Sequence, residues 1–277
     1  VVLIDDSIVR GTTSIKLVRA VRAAGATPAT MAVIAGRLHV GLTDAQLEAL
    51  AQAKDVDKIS RADMAVCMAK GRTGATTVAA TMIAARLANI SVFATGGIGG
   101  VHMGADQTFD ISADLMELAQ TAVTVVAAGP KAILDIPKTL EVLETQGVPV
   151  IAYGQSALPA FWSRSAGFDA PLRMDTAAEI AAAHKMRARL ALPGGQLVAN
   201  PIPESDEIAP QVLAPIIAQA QSEADAQGIS AKAVTPFMLQ RIFELTEGRS
   251  LTANIALVRN NARLAAQIAV EMTKLAQ

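Results

Sequence analysis

The 277-residue sequence is poor in several residue types that would carry specialised functions. It has one cysteine, Cys67, which excludes a disulfide within the chain and a cysteine-rich zinc site. A lone cysteine of this kind reads as a small buried hydrophobe. Aromatic residues make up 3% of the chain, and its single Trp162 and single Tyr153 read as packing residues. Neither sign of charge dominates: 24 Lys+Arg face 25 Asp+Glu, which removes the basic field that nucleic acid or acidic lipid requires. Apolar runs break at Gly, Pro, Lys or Arg well short of a bilayer span. His39 and His184 lack metal-ligand spacing. The opening Val-Val-Leu-Ile-Asp-Asp lacks the basic region and cleavage site of a secretory signal, so a cytoplasmic protein is expected. Because it begins in an apolar run, residues upstream of Val1 are expected as well.

What is present is apolar: 52% hydrophobic against 18% charged residues, which excludes disorder and supplies a sizeable core. Short β-branched runs alternate with amphipathic stretches. Strands are expected at 1–4, 29–34, 38–40, 90–94, 123–127, 149–153 and 196–199. Helices are expected at 15–24, after Thr43, and at 63–70, 77–87, 133–144, 177–190, 209–227, 236–246 and 251–275. Thr43-Asp44-Ala45-Gln46 has capping-box spacing, Gly36-Arg37 a hairpin turn, and Gly74-Ala75 a turn before a helix. The alternation predicts an α/β fold, a layered α/β/α single domain with a mostly parallel central sheet. No repeat or long linker divides residues 1–277, although 1–27 form an atypical opening segment.

Three constellations could carry chemistry. Thr95-Gly96-Gly97-Ile98-Gly99-Gly100-Val101-His102 follows a strand and reads equally as a phosphate cradle or a tight turn. It has neither dinucleotide nor P-loop spacing. Asp110, Ser112 and Asp114 share a face if extended, and Asp110 and Asp114 still do if helical. They could hold a magnesium or manganese ion, or be helix caps and a solvated acidic face. Lys131 follows a strand and a Gly129-Pro130 turn among apolar neighbours, where it is either simply exposed or an amine placed to attack a carbonyl.

The segments Lys58-Ile59-Ser60-Arg61, Gly74-Ala75-Thr76-Thr77-Val78-Ala79, Phe93 to His102, Thr108 to Leu115, Asn200 to Glu204 and Leu251 to Asn261 together resemble the pseudouridine-5'-phosphate glycosidases, the indigoidine synthase A-like proteins, over residues 28 to 270. The resemblance implies reversible cleavage of the C–C glycosidic bond of pseudouridine 5'-phosphate to uracil and ribose 5-phosphate, with one divalent ion, usually manganese, in a homotrimer. It implies that Lys131 forms a Schiff base with C1' of the ring-opened sugar and that Asp110 anchors the metal. Lys58, Val78, Ser112, Ala113 and Asp114 fall at substrate contacts, Thr95 and His102 near the phosphate, and Asn254 at the site.

The opening departs from that family, whose members usually begin with a strand ending Ala-Leu-Glu-Ser-Thr that supplies a glutamate as general acid. No glutamate precedes Glu48 here. Asp5 is the nearest counterpart and Asp6 the next, each one methylene shorter than glutamate. The stretch Val1 to Ser14 instead resembles the phosphoribosyl pyrophosphate loop of amidophosphoribosyltransferases, in which paired acids hold ribose hydroxyls and a Gly-Thr-Thr-Ser turn holds the 5'-phosphate. Met103 stands where relatives often carry arginine. A phosphoribosyl pyrophosphate-dependent transferase and an inactive sugar-phosphate binder are therefore the alternatives to a glycosidase.

Overall fold

The computed structural model describes residues 2–5, 27–229 and 233–276. The expected helix at 15–24 and the residues 6–14 lie outside them. Eleven strands appear among the described residues: β1 (Val2–Asp5), β2 (Pro28–Ala29), β3 (Met31–Ile34), β4 (Arg37–Val40), β5 (Asp57–Ile59), β6 (Gly74–Thr76), β7 (Val92–Thr95), β8 (Thr124–Ala127), β9 (Val150–Tyr153), β10 (Leu172–Met174) and β11 (Gln196–Ala199). The helices are α1 (Asp44–Gln52), α2 (Arg61–Ala69), α3 (Val78–Leu87), α4 (Ala105–Thr108), α5 (Ala113–Gln120), α6 (Ile136–Thr145), α7 (Ala177–Arg189), α8 (Pro210–Ala226), α9 (Val234–Leu245) and α10 (Arg249–Ala276).

Seven strands form a wholly parallel sheet in the order β10-β9-β11-β8-β7-β1-β2. Its central strands are buried along their whole length, as a sheet covered on both faces requires. Side chains alternate between the two layers: Val92, Ala94, Val126 and Val198 meet Leu257, Val258 and Ala265 of α10. Phe93, Val125, Leu197 and Ala199 meet Met82 of α3 and Leu115 and Leu118 of α5. From β1 the chain goes to β2 on one side and later to β7 on the other. The β1/β7 boundary is thus a topological switch point, where open parallel sheets bind ligands beyond their carboxyl ends.

The structure adds a second sheet that the sequence reading lacks, in the order β4-β3-β6-β5. The expected hairpin is its β3–β4 pair, with Met31 opposite Val40. Gly74-Ala75, expected as a turn, lies in strand β6, antiparallel to β3 and parallel to β5. Gly74 is needed there because a Cβ would stand 2.8 Å from Ile59 Cγ2. The capping box at Thr43 forms as expected.

At the amino ends of β8 and β11, Gln196 Nε2 donates to Thr124 Oγ1 at 3.2 Å, and that hydroxyl lies 3.0 Å from His184 Nδ1. Burial pushes the His184 pKa below the ordinary imidazole value, and Arg187 adds to the shift. The unfolded chain therefore binds this proton at a higher pH than the folded one does. Stability present above about pH 6.5 should fall as pH drops below that value toward the folded pKa. Urea titrations at pH 7 and pH 5 should show a smaller loss for His184→Gln than for the wild type; equal losses would remove His184 from this role.

Candidate active site

The loops leaving β7 and β8 are laced together. Gly96 O accepts from Ala128 N at 2.8 Å, Ile98 N donates to Gly129 O at 3.2 Å, and Lys131 N donates to Ile98 O at 3.1 Å. This ladder fixes Lys131 beside the glycine loop at the sheet's carboxyl edge. None of Gly96, Gly97, Gly99 or Gly100 has a positive φ. They are glycines because neighbours press on them. A Cβ would stand 2.6 Å from the Phe161 ring at Gly97, 2.3 Å from Ser112 Oγ at Gly99, and 2.4 Å from Thr139 Oγ1 at Gly100.

The segment 110–114 is not the one-faced acidic strand or helix expected from its spacing. Ile111 bridges Val101, Ser112 caps α5 with its side chain accepting from Asp114 N, and the helix starts at Ala113. Asp114 is buried, and its carboxylate is engaged by two backbone amides: Oδ1 accepts from Ala79 N at 2.9 Å and Oδ2 from Gly99 N at 2.8 Å. It braces the glycine loop against the start of α3. Among the described residues no group of three His, Cys, Asp or Glu side chains could hold a metal.

Asp110 is half-buried, and its carbonyl accepts from His102 N at 3.0 Å. Burial pushes the pKa of the His102 ring below the ordinary histidine value; Asp110 opposes this shift, and Lys131 and Lys58 reinforce it. Asp110, Lys131 and Lys58 are thus each within electrostatic reach of the His102 ring. Lys58 comes from β5 of the second sheet, in register with Ala75. The Lys131 side chain carries no hydrogen bond or ion pair among the described residues. Asp5 closes β1 in register with Thr95, at the same edge.

The indigoidine synthase A-like protein family matches residues 10–271. The chain belongs to that family. Pseudouridine-5'-phosphate glycosidases of Jannaschia sp. and Roseobacter denitrificans are 70% and 73% identical to it. The first alignment covers 91% of this chain and 84% of that protein; the second covers 90% and 80%. A crystal structure of the prealnumycin C-glycosynthase AlnA with ribulose 5-phosphate superposes with a TM-score of 0.91 at 38% identity, covering all of this chain and 92% of that one. The indigoidine synthase A-like protein of Thermotoga maritima superposes with a TM-score of 0.88 at 31% identity, covering 100% and 97%. The family match starts at residue 10, ahead of position 28 where the motifs alone put it.

Within this indigoidine synthase A-like fold, the residues expected at the site occupy the following places. Thr95 ends β7, Val78 opens α3 and is buried, and Ser112, Ala113 and Asp114 form the first turn of α5 with its cap. Asn254 lies on α10 with a buried Oδ1 that has no partner among the described residues and faces Gly96. The paired-acid and Gly-Thr-Thr-Ser resemblance falls on residues outside the described ones from Asp6 onward, as does the side chain of Asp5.

Sequence reasoning missed the residues that support this edge. Glu117, with no exposure, takes Arg61 Nε at 2.7 Å and Nη2 at 3.2 Å, and also accepts from the Thr121 hydroxyl. The pair joins the start of α2, three residues after Lys58, to α5, which carries Asp114. An acidic residue at an otherwise apolar helix position was the available signal.

Three variants test this scaffold. Asp114→Asn turns one acceptor toward an N–H as a donor and should cost about 1–3 kcal/mol in urea unfolding. Arg61→Ala should destabilise more than the double variant Arg61→Ala/Glu117→Gln, because the single change strands a buried carboxylate. The reverse order would show that the ion pair contributes little.

Proposed function

We propose that the chain cleaves the C–C glycosidic bond of pseudouridine 5'-phosphate reversibly, giving uracil and ribose 5-phosphate, with Lys131 as the nucleophile. The observation that carries this reading is the gathering of Lys131, Lys58, His102 and Asp110 beside the glycine loop. The names of the relatives at 70% and 73% identity support the substrate, and the ribulose 5-phosphate complex of the neighbour supports a sugar phosphate as ligand.

A C–C glycosidic bond has no leaving heteroatom to protonate, so an electron sink must be built at C1'. The Lys131 amine attacks C1', the C1'–O4' bond breaks, and O4' takes a proton as the ring opens. The attacking nitrogen gives up a proton, and its lone pair then forms a C=N bond while the pair of the C1'–C5 bond goes to uracil C5, which takes a proton. Water hydrolyses the iminium, returning the amine and releasing ribose 5-phosphate. Asp5, in register with Thr95, is the proposed proton donor to O4'. Lys58, Val78, Ser112, Ala113, Asp114 and Asn254 form the substrate surroundings in this proposal, with Thr95 and His102 toward the phosphate.

One divalent ion per subunit, manganese, belongs to the proposal, with Asp110 as its protein ligand. The fit is that of a single carboxylate without a hydrogen bond or ion pair among the described residues, a donor set that water and substrate oxygens would complete. Bound there, such an ion would supply positive charge to the substrate's oxygens. We extend the proposal to a cytoplasmic homotrimer. Exposed Met103, Phe109 and Ile111 near the site offer an apolar face for assembly, and no described helix is long and apolar enough to cross a membrane.

The test is uracil release from pseudouridine 5'-phosphate with manganese. Wild type should release uracil, Lys131→Ala should fall to background, and Asp5→Asn should lose about 10²–10⁴-fold in kcat. Borohydride with ribose 5-phosphate should add a reduced sugar-phosphate mass to wild type and not to Lys131→Ala. No trapped adduct from neutral to mildly basic pH would sink the Lys131 role. Ribose 5-phosphate binding without turnover would leave only a binder.

A further inference from the structure

Asn261 has no solvent exposure, although it lies on the apolar face of α10. Its Nδ2 donates to Thr95 O at 2.8 Å and reaches Gly96 O at 3.5 Å. Its Oδ1 accepts from Asn200 Nδ2 at 3.0 Å. Asn200 follows β11 directly, and its backbone N–H donates to Ala127 O, the last carbonyl of β8. Two side-chain amides therefore connect the carboxyl ends of β7 and β11, and the Asn200 backbone ties them to β8.

The carbonyl of Gly96 is the important junction. It receives Ala128 N at 2.8 Å, the first rung of the ladder that leads to Lys131. Asn261 thus reaches the point where the glycine loop and the Lys131 loop separate. A primary amide meets both demands at once, donating to backbone carbonyls on one side and accepting from Asn200 on the other. An aspartate of the same shape would keep the acceptor, lose the donor and turn charge toward two carbonyl oxygens.

We propose that Asn261, oriented by Asn200, is a positioning residue that sets the glycine loop against Lys131, so that phosphate and amine engage the same sugar. This rests on the glycosidase reading above. Neither asparagine touches the reacting atoms. Their effect comes through loop geometry, where a displacement of about 1 Å costs on the order of 10²-fold in rate.

The experiment compares wild type, Asn261→Asp, Asn200→Ala and the control Asn260→Ala in the full chain. Asn260 donates to Pro201 O at 3.0 Å and does not reach the glycine loop. Uracil release should show kcat/KM lowered about 10²-fold in Asn261→Asp, mostly through kcat, and about 10-fold in Asn200→Ala. Asn260→Ala should match wild type. Borohydride trapping of ribose 5-phosphate should slow in the same order. A purely structural role would lower the melting temperature while leaving kcat and KM per folded molecule unchanged, and that result overturns the proposal. Should Asn261→Asp fail to fold, wild-type kinetics in Asn200→Ala overturn it equally. A wild type that releases no uracil sinks the glycosidase reading alone. The dissociation constant of ribose 5-phosphate then decides: weakening in Asn261→Asp supports the positioning role, whereas equal affinity, or no binding in wild type, overturns it.

Discussion

A buried carboxylate is stable only when its oxygens are met, and Asp114 meets that condition with backbone N–H groups from two distant segments. Ala79 lies 35 residues before it and Gly99 lies 15 before it. Once those two bonds form, the start of α3, the glycine loop and the first turn of α5 are held together. Other local choices follow from that constraint. Gly99 has no room for a side chain, Ser112 must cap the helix that presents Asp114, and α5 must stay against α2, which the Arg61–Glu117 pair secures. A negative charge near the amino end of α3 is favoured by the helix dipole as well.

The site draws on both sheets. The parallel sheet supplies the two loops that its switch point brings to one edge, one rich in glycine and one carrying Lys131. The smaller mixed sheet supplies Lys58, carried on a strand rather than a loop, so its position is tied to the register between β5 and β6. Building a site from rigid strand ends and short laced loops limits how far each group can drift, as the proposed attack of Lys131 on one particular carbon requires.

Much of this was readable in the sequence because it is local. The alternation of apolar runs and amphipathic stretches gave most strands and helices, and the cluster of glycines after β7 marked the loop. The second sheet was obscured by Gly74, which reads as a turn residue yet lies in a strand because Ile59 occupies the space of its missing side chain. Asp110, Ser112 and Asp114 misled because periodicity assumes one secondary structure, whereas the chain changes from a bridge at Ile111 to a helix at Ala113. Arg61 and Glu117 lie 56 residues apart, and Asn261 lies 166 from Thr95, separations at which no local pattern speaks. A buried asparagine in an apolar helix face announces that some partner exists without naming it.

The glycine loop also shows why a run of the most flexible residue need not be a flexible loop. Glycine loses more backbone freedom on folding than any other residue, so four in five positions is unfavourable unless contacts offset the loss. Here each glycine is matched to a different surface: Gly96 to Val258 and Asn254, Gly97 to Phe161, Gly99 to Ser112 and Asp114, and Gly100 to Thr139. Phe161 itself holds a positive φ of 60° to bring its ring there, a strained conformation for a bulky residue. Backbone hydrogen bonds from Ile98, Gly99, Val101 and His102 complete the restraint. A loop restrained in this way before any ligand arrives would have little ordering left to do on binding one, which is the sense in which it is preorganised.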